Sequence, residues 1–115
     1  MGEGRGVAGR IERGDIRLFP FARPDKVRPV LVLTRESTLA FLSRVTVAPI
    51  TSTVRGVPSE VRLGPDDGMK QPCAVNLHNV VTVAKGDLGR RVAHLDDRRM
   101  DEVCTALAFA LGCGG

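Results

Sequence analysis

A chain of 115 residues, 43% hydrophobic and 26% charged, has room for one core and one domain. Its net charge of +4, from 17 Lys and Arg against 13 Asp and Glu, favours an anionic partner without naming one. Three widely spaced cysteines (Cys73, Cys104, Cys113) suggest neither a disulfide framework nor a zinc site, no apolar run reaches the ~18 residues of a membrane span, and no apolar leader is visible, so a reduced, cytoplasmic protein is expected.

The first twelve residues alternate Gly with Arg and Glu and can bury little, so they read as a flexible tail ahead of a single domain over 13–115. With four Phe and no Tyr or Trp, the core must be built from Val, Leu, Ile and Ala; Phe41 and Phe109 fit its apolar patterns. A first strand is expected over 16–21, where Phe19 and Phe21 flank Pro20, and a turn follows at the Pro24-Asp25 pair. Residues 27–34 are nearly continuously apolar, as in a strand buried on both faces. Residues 35–43 fit a single helical turn with Ser37 as its N-cap.

A third strand spans 45–50, and Pro49 demotes its end to an edge or a bulge. After a polar loop, residues 59–63 alternate Val61 and Leu63 with Glu60 and Arg62, the pattern of a half-buried strand. Turns are expected at 64–68 and 85–89, and between them two apolar runs, 73–77 and 80–83, are broken by His78-Asn79. The C-terminal segment is a helix: Asp96 or Asp97 caps it, Met100, Val103, Cys104, Leu107, Ala108 and Leu111 form its apolar stripe, and Gly112 stops it. Five to seven short strands with one closing helix predict a mainly β fold, a small, strongly curved sheet or barrel covered by that helix.

The two histidines, His78 and His94, show no ligand spacing, and Asp66-Asp67 and Asp96-Asp97 read as turn and cap residues, so a metal enzyme is disfavoured. No phosphate-binding Gly-rich loop and no G-x-S-x-G nucleophile elbow is present. Few aromatics are available to stack bases, which leaves phosphate contacts, the 2′-hydroxyl and arginine planes as means of holding RNA. Arg28-Pro29 opens the second strand, while Thr51 and Ser52 close the third. If the two strands pair, a cation and two hydroxyls meet at one rim, which suits a phosphate. Residue types alone favour the plainer reading: a surface arginine and two strand-ending hydroxyls.

The order of short motifs changes that balance. Gly14-Asp15-Ile16, Arg28-Pro29-Val30-Leu31-Val32, Val47-Ala48-Pro49-Ile50-Thr51-Ser52, Pro58-Ser59-Glu60-Val61 and Leu88-Gly89 follow one another before the C-terminal helix. From about Arg13 to Gly112 the chain resembles the MazF/PemK family of toxin endoribonucleases (mRNA interferases) of type II toxin–antitoxin systems. The resemblance implies an SH3-like β-barrel of the CcdB/MazF kind with a C-terminal helix, usually a homodimer. It implies sequence-specific cleavage of single-stranded RNA, with neither metal nor cofactor, by attack of a 2′-hydroxyl on the adjacent phosphate. The outcome for the cell is inhibited translation and growth, restrained by a cognate antitoxin.

The family's essential arginine falls on Arg28 and its essential threonine on Thr51. On the same resemblance, RNA contacts fall to Arg23 and Lys26 before the catalytic arginine, to Ser52, Thr53 and Arg55 after the threonine, and to His78 and Asn79. Arg28 would stabilise charge on the phosphoryl oxygens and serve as a possible acid; a guanidinium is a poor base, and the base is left open. The loop before Arg28 is shorter than in many members, and His78-Asn79 stands where they often carry an acidic residue followed by Gln or Asn. The rival reading is a non-catalytic toxin of the CcdB kind that binds DNA gyrase.

Overall fold

The protein is described by a computed structural model over residues 10–22 and 26–113, the side chains of residues 22 and 26 excepted. Among these residues lie seven strands: β1 (Asp15–Ala22), β2 (Lys26–Val32), β3 (Arg44–Thr51), β4 (Glu60–Leu63), β5 (Cys73–Asn76), β6 (Val81–Ala84) and β7 (Arg91–His94). Two α-helices, α1 (Glu36–Leu39) and α2 (Asp97–Leu111), and three 3₁₀ turns complete them. All pairings are antiparallel, in the order β4-β5-β3-β2-β1-β7, with β6 also on β3. The architecture is the expected one, a strongly curved mainly β half-barrel closed by a C-terminal helix.

β3 is the hub. One of its edges pairs with β2 over Val47, Ala48 and Pro49; the other pairs with β6 as far as Val47 and with β5 from Ile50. Pro49 does not make this an edge strand: it falls between the two partners, where the ladder is already interrupted. From Val30 onward β2 is buried on both faces, as its apolar run predicts, whereas Val27 and Arg28, expected within the same run, are exposed. Leu31 joins Ile16, Ala48, Ile50 and Val75 in one cluster, and Val30 and Val32 join Val45, Val47 and Val83 in the other. Aliphatic alternation across a curved sheet thus makes two cores without an aromatic at the centre.

Helix α2 covers the first cluster through Met100, Val103 and Ala106. Asp96 caps it by accepting from the Arg99 N–H at 2.9 Å, and Gly112 ends it at φ 73°. Its buried seam is narrower than the sequence stripe: Cys104, expected inside, is exposed and accepts a hydrogen bond from Arg13 Nη2. Phe41 and Phe109, expected in the core, are also exposed. Ser37 does not cap α1; Arg35 holds that position with no side-chain bond. β7 had no expectation of its own, because Arg91-Val92-Ala93-His94 lacks a buried alternation.

The sheet's far edge is fastened by a buried ion pair. Asp15 and Arg17, both on β1 and both almost fully buried, bond through Nη2–Oδ2 at 3.0 Å. The other carboxylate oxygen takes His94 Nδ1 at 2.8 Å and Arg91 Nη1 at 3.4 Å, both from β7. Arg17 also donates to the carbonyls of Gly89 and Arg10. Burial raises the Asp15 carboxyl, but the Glu12 N–H, His94 and Arg17 outweigh it, and the group sits below the usual carboxylate range. Residues 10–12 are held here, Ile11 packing on the second cluster; residues 1–9 of the expected tail lie outside the described residues.

Candidate active site

The β2–β3 register brings the sequence candidates together. Val32 lies opposite Val47, Leu31 opposite Ala48, and Val30 opposite Pro49; Arg28 and Thr51 each lie two residues beyond the end of this ladder and line one pocket. On the other edge of β3, Thr51 pairs with Ala74 of β5, so Ser52 is carried towards Cys73. The rim inferred from two separate strand ends therefore exists as one place. Arg28, Thr51 and Ser52 line a pocket of about 360 Å³ at this end of the half-barrel.

Its floor is apolar, with Leu18, Ile50, Met69 and Val92 among its walls, and Cys73 beside them. Burial, and then the charge of Asp67, push the Cys73 thiol up, so it is a neutral wall here and not a nucleophile. The mouth is polar. Besides Arg28 and the two hydroxyls it carries Lys70, Gln71 and Arg90. Among the described residues, the pocket has three cations and no carboxylate to neutralise them.

The Arg28 side chain is exposed and makes no hydrogen bond or ion pair with the described residues, so its fork of donors is free. Thr51 is half-buried, and its Oγ1 accepts from the Thr53 N–H at 3.0 Å. That bond uses a lone pair of the hydroxyl and leaves its proton to donate. The site thus offers a permanent cation and an oriented neutral donor above an apolar floor, a combination that favours developing negative charge on an oxyanion.

The remaining candidates are dispersed. Thr53 serves the site through its backbone. Arg55 and Gly56 donate their N–H groups to Glu60 Oε1 at 3.0 and 2.9 Å, which pins the loop after β3 back onto β4. His78 bonds Ser59 through Nδ1 and caps against Asn76 through its own N–H; neither it nor Asn79 lines the pocket. Arg23 and the side chain of Lys26 lie outside the described residues. Sequence reasoning missed Lys70, Gln71 and Arg90. They come from connections whose placement depends on how the half-barrel closes; the charge of Lys70 and Arg90, in a chain rich in arginine, is the one signal they carry, and Gln71 carries none.

Elsewhere, Glu12, Asp15 and His94 each place one atom of metal-ligand type within 4.8 Å of the others. Both oxygens of Asp15 are already bonded by guanidiniums, Arg17 on one and Arg91 on the other, which makes this cluster a fastening of the sheet edge.

A family model described as the PemK-like, MazF-like toxin of type II toxin–antitoxin systems matches residues 12–111. The chain is 46% identical over 80 residues to endoribonuclease MazF3 of Mycobacterium tuberculosis, covering 70% of this chain and 78% of that protein. Among solved structures, the Mycobacterium tuberculosis toxin MazF-mt6 superposes with a TM-score of 0.78 at 38% identity, covering 88% of this chain and 99% of that one. A mycobacterial endoribonuclease in complex with its cognate antitoxin superposes with a TM-score of 0.80 at 27% identity, over 90% of this chain and 96% of that one.

Proposed function

The chain belongs to the PemK-like, MazF-like toxin family of type II toxin–antitoxin systems, and from that premise we propose that it is an endoribonuclease that cuts single-stranded RNA at the Arg28–Thr51 pocket. The observation that carries this reading is the convergence of Arg28, Thr51 and Ser52 in one pocket whose described lining holds cations and no carboxylate. A pocket of that composition is matched to a phosphodiester. It would be poorly matched to a neutral or cationic substrate.

The reaction we assign is transesterification. The 2′-oxygen on the 5′ side of the cut attacks phosphorus, a P–O bond forms, and the bond to the 5′-oxygen of the next nucleotide breaks. The products are a 2′,3′-cyclic phosphate and a 5′-hydroxyl, with one proton passing from nucleophile to leaving group. Arg28 compensates the charge that grows on the non-bridging oxygens, and Thr51 donates a hydrogen bond to the same group. A donor of this kind is worth about 10²–10³ in rate. No carboxylate or imidazole lines the pocket among the described residues, so a histidine acid–base pair does not account for the chemistry.

Neither step calls on a divalent ion, and we assign a metal-independent mechanism with specificity for a short RNA sequence. In the cell the outcome would be cleavage of mRNA, arrest of translation and of growth. A homodimer restrained by a cognate antitoxin is the assembly this reading carries; a cationic pocket mouth suits an acidic segment of such a partner. A gyrase-binding role would leave the cation–hydroxyl pocket without a task.

The direct test is digestion of total RNA by the purified protein in excess EDTA, with sequencing of the cut ends. Cuts at one recurring short motif, each leaving a 5′-hydroxyl, are expected. Intact RNA, or cleavage that EDTA abolishes, would overturn the assignment.

A further inference from the structure

The pocket has a second cationic wall. Lys70 lies in the connection before β5, and Arg90 immediately precedes β7. The first of these connections meets β7 at the seam of the half-barrel: a Cβ built on Gly68 would stand 3.1 Å from the Ala93 Cβ, and Met69, Val92 and Ala93 pack on the same core cluster. Arg90 is fixed there by its carbonyl, which accepts from the Leu18 N–H at 3.3 Å. Both side chains are exposed and have no hydrogen-bond or ionic partner among the described residues.

In the strand order β4-β5-β3-β2-β1-β7, Arg28 and Thr51 lie at the ends of the two central strands, Lys70 lies in the connection from β4 into β5, and Arg90 lies at the entry to β7. All four residues line the one pocket, and Arg90 bonds Leu18 of β1, which pairs in turn with Pro29 of β2, so one strand stands between Arg90 and the strand that carries Arg28. Strands next but one to each other in a sheet stand on the order of 10 Å apart. That separation leaves room for two successive phosphates of a single strand, one at Arg28 and Thr51 and the next at Lys70 and Arg90.

We propose that Lys70 and Arg90 form a second phosphate subsite, which holds the phosphate neighbouring the one that is cut. The inference rests on the reading of the pocket as an RNA site and adds a positioning role to it. Two free cations at a fixed separation from the catalytic pair would set which nucleotide enters the pocket, with the apolar floor beneath it.

The test uses a short single-stranded RNA spanning a mapped cut site, with a 2′-deoxy nucleotide at the cut so that binding is read without cleavage. If the protein proves inactive, a mixed-sequence strand of the same length takes its place. Arg90→Gln and Lys70→Gln should each weaken binding about tenfold, the loss expected for a charge-assisted contact. Each should also flatten the slope of log affinity against log salt by roughly 0.7. On the cleavable RNA, KM should rise while kcat stays within about twofold, unlike Arg28→Gln, which should lower kcat.

A neutral methylphosphonate placed on each side of the cut in turn should weaken wild-type binding at one of the two positions and have little further effect on Arg90→Gln. Unchanged salt slopes, a kcat loss like that of Arg28→Gln, or a full methylphosphonate effect in the variants would overturn the proposal. So would unchanged RNA affinity with lost binding of an acidic peptide, which would assign the seam cations to a protein partner. A wild-type protein that binds RNA but never cuts it would defeat the proposed function and leave this subsite to be judged by its binding cycle.

Discussion

The Arg28 side chain is exposed and without a partner among the described residues, which separates its chemistry from its contribution to folding. Arg28→Ala should lower the single-turnover cleavage rate by at least about 10²–10³-fold, while thermal unfolding stays close to that of the wild type; a variant that unfolds early would move Arg28 from the chemistry to the scaffold. Thr51→Val keeps the shape of the side chain and removes its hydroxyl. It should cost activity on the same scale as one lost donor, read in the same assay. The cation and the hydroxyls were legible as strand-end residues, and a shared family motif order raised them above ordinary surface groups. Lys70, Gln71 and Arg90 were not legible, because no local pattern reports which loops converge when a sheet curls. Cys104 misled for a related reason: an apolar stripe read at helical spacing does not say how wide a face the sheet will cover.

At the scale of elements, β3 was read correctly as a strand, and of the two readings of its end, an edge or a bulge, the pairings exclude the edge. Pro49 removes a donor, but β3 changes partner from β6 to β5 around that residue, and this tertiary arrangement is absent from the local sequence. Helix α2 was legible in full outline because its cap, stripe and stop signal agree. Asp96→Ala should therefore cost about 1 kcal/mol through the lost cap, a fall in Tm of roughly 4–8 °C for a domain of this size, with cleavage unaffected. β7 was invisible to periodicity, yet it carries two of the partners of Asp15. Asp15→Ala would strip the buried Arg17 of its carboxylate and unfasten β7 from β1. Losing one member of a buried pair costs about 3–5 kcal/mol, which denaturant titration would show as a large drop in midpoint; a near-neutral result would contradict the fastening role.

For the whole molecule, two carboxylates set the acid limit: Asp15, and Asp67, which pairs with Arg99 of α2 at 2.9 Å. Asp15 and Asp67 are both held below their ordinary range, Asp15 by the Glu12 N–H, His94 and Arg17 against its burial, Asp67 chiefly by Arg99. A group whose folded pKa is depressed binds protons more readily when unfolded, so it stabilises the fold above its unfolded value of about 4 and loses that contribution as pH falls through the folded value. Unfolding free energy should be flat with respect to these two groups near neutrality and decline below about pH 4; Asp67→Asn should make the acid decline shallower. The fold class and the β2–β3 site were legible because short strands, turns and a capped helix are local signals, whereas the closed seam is a property of the whole chain. The measurement that bears most directly on the central claim pairs an RNA spanning the mapped cut site with its twin carrying a single 2′-deoxy nucleotide at the cut, both in excess EDTA. The account predicts that the first is cut to a 2′,3′-cyclic phosphate and a 5′-hydroxyl while the twin stays intact; cleavage of the twin, or protection of the first by EDTA, would contradict it.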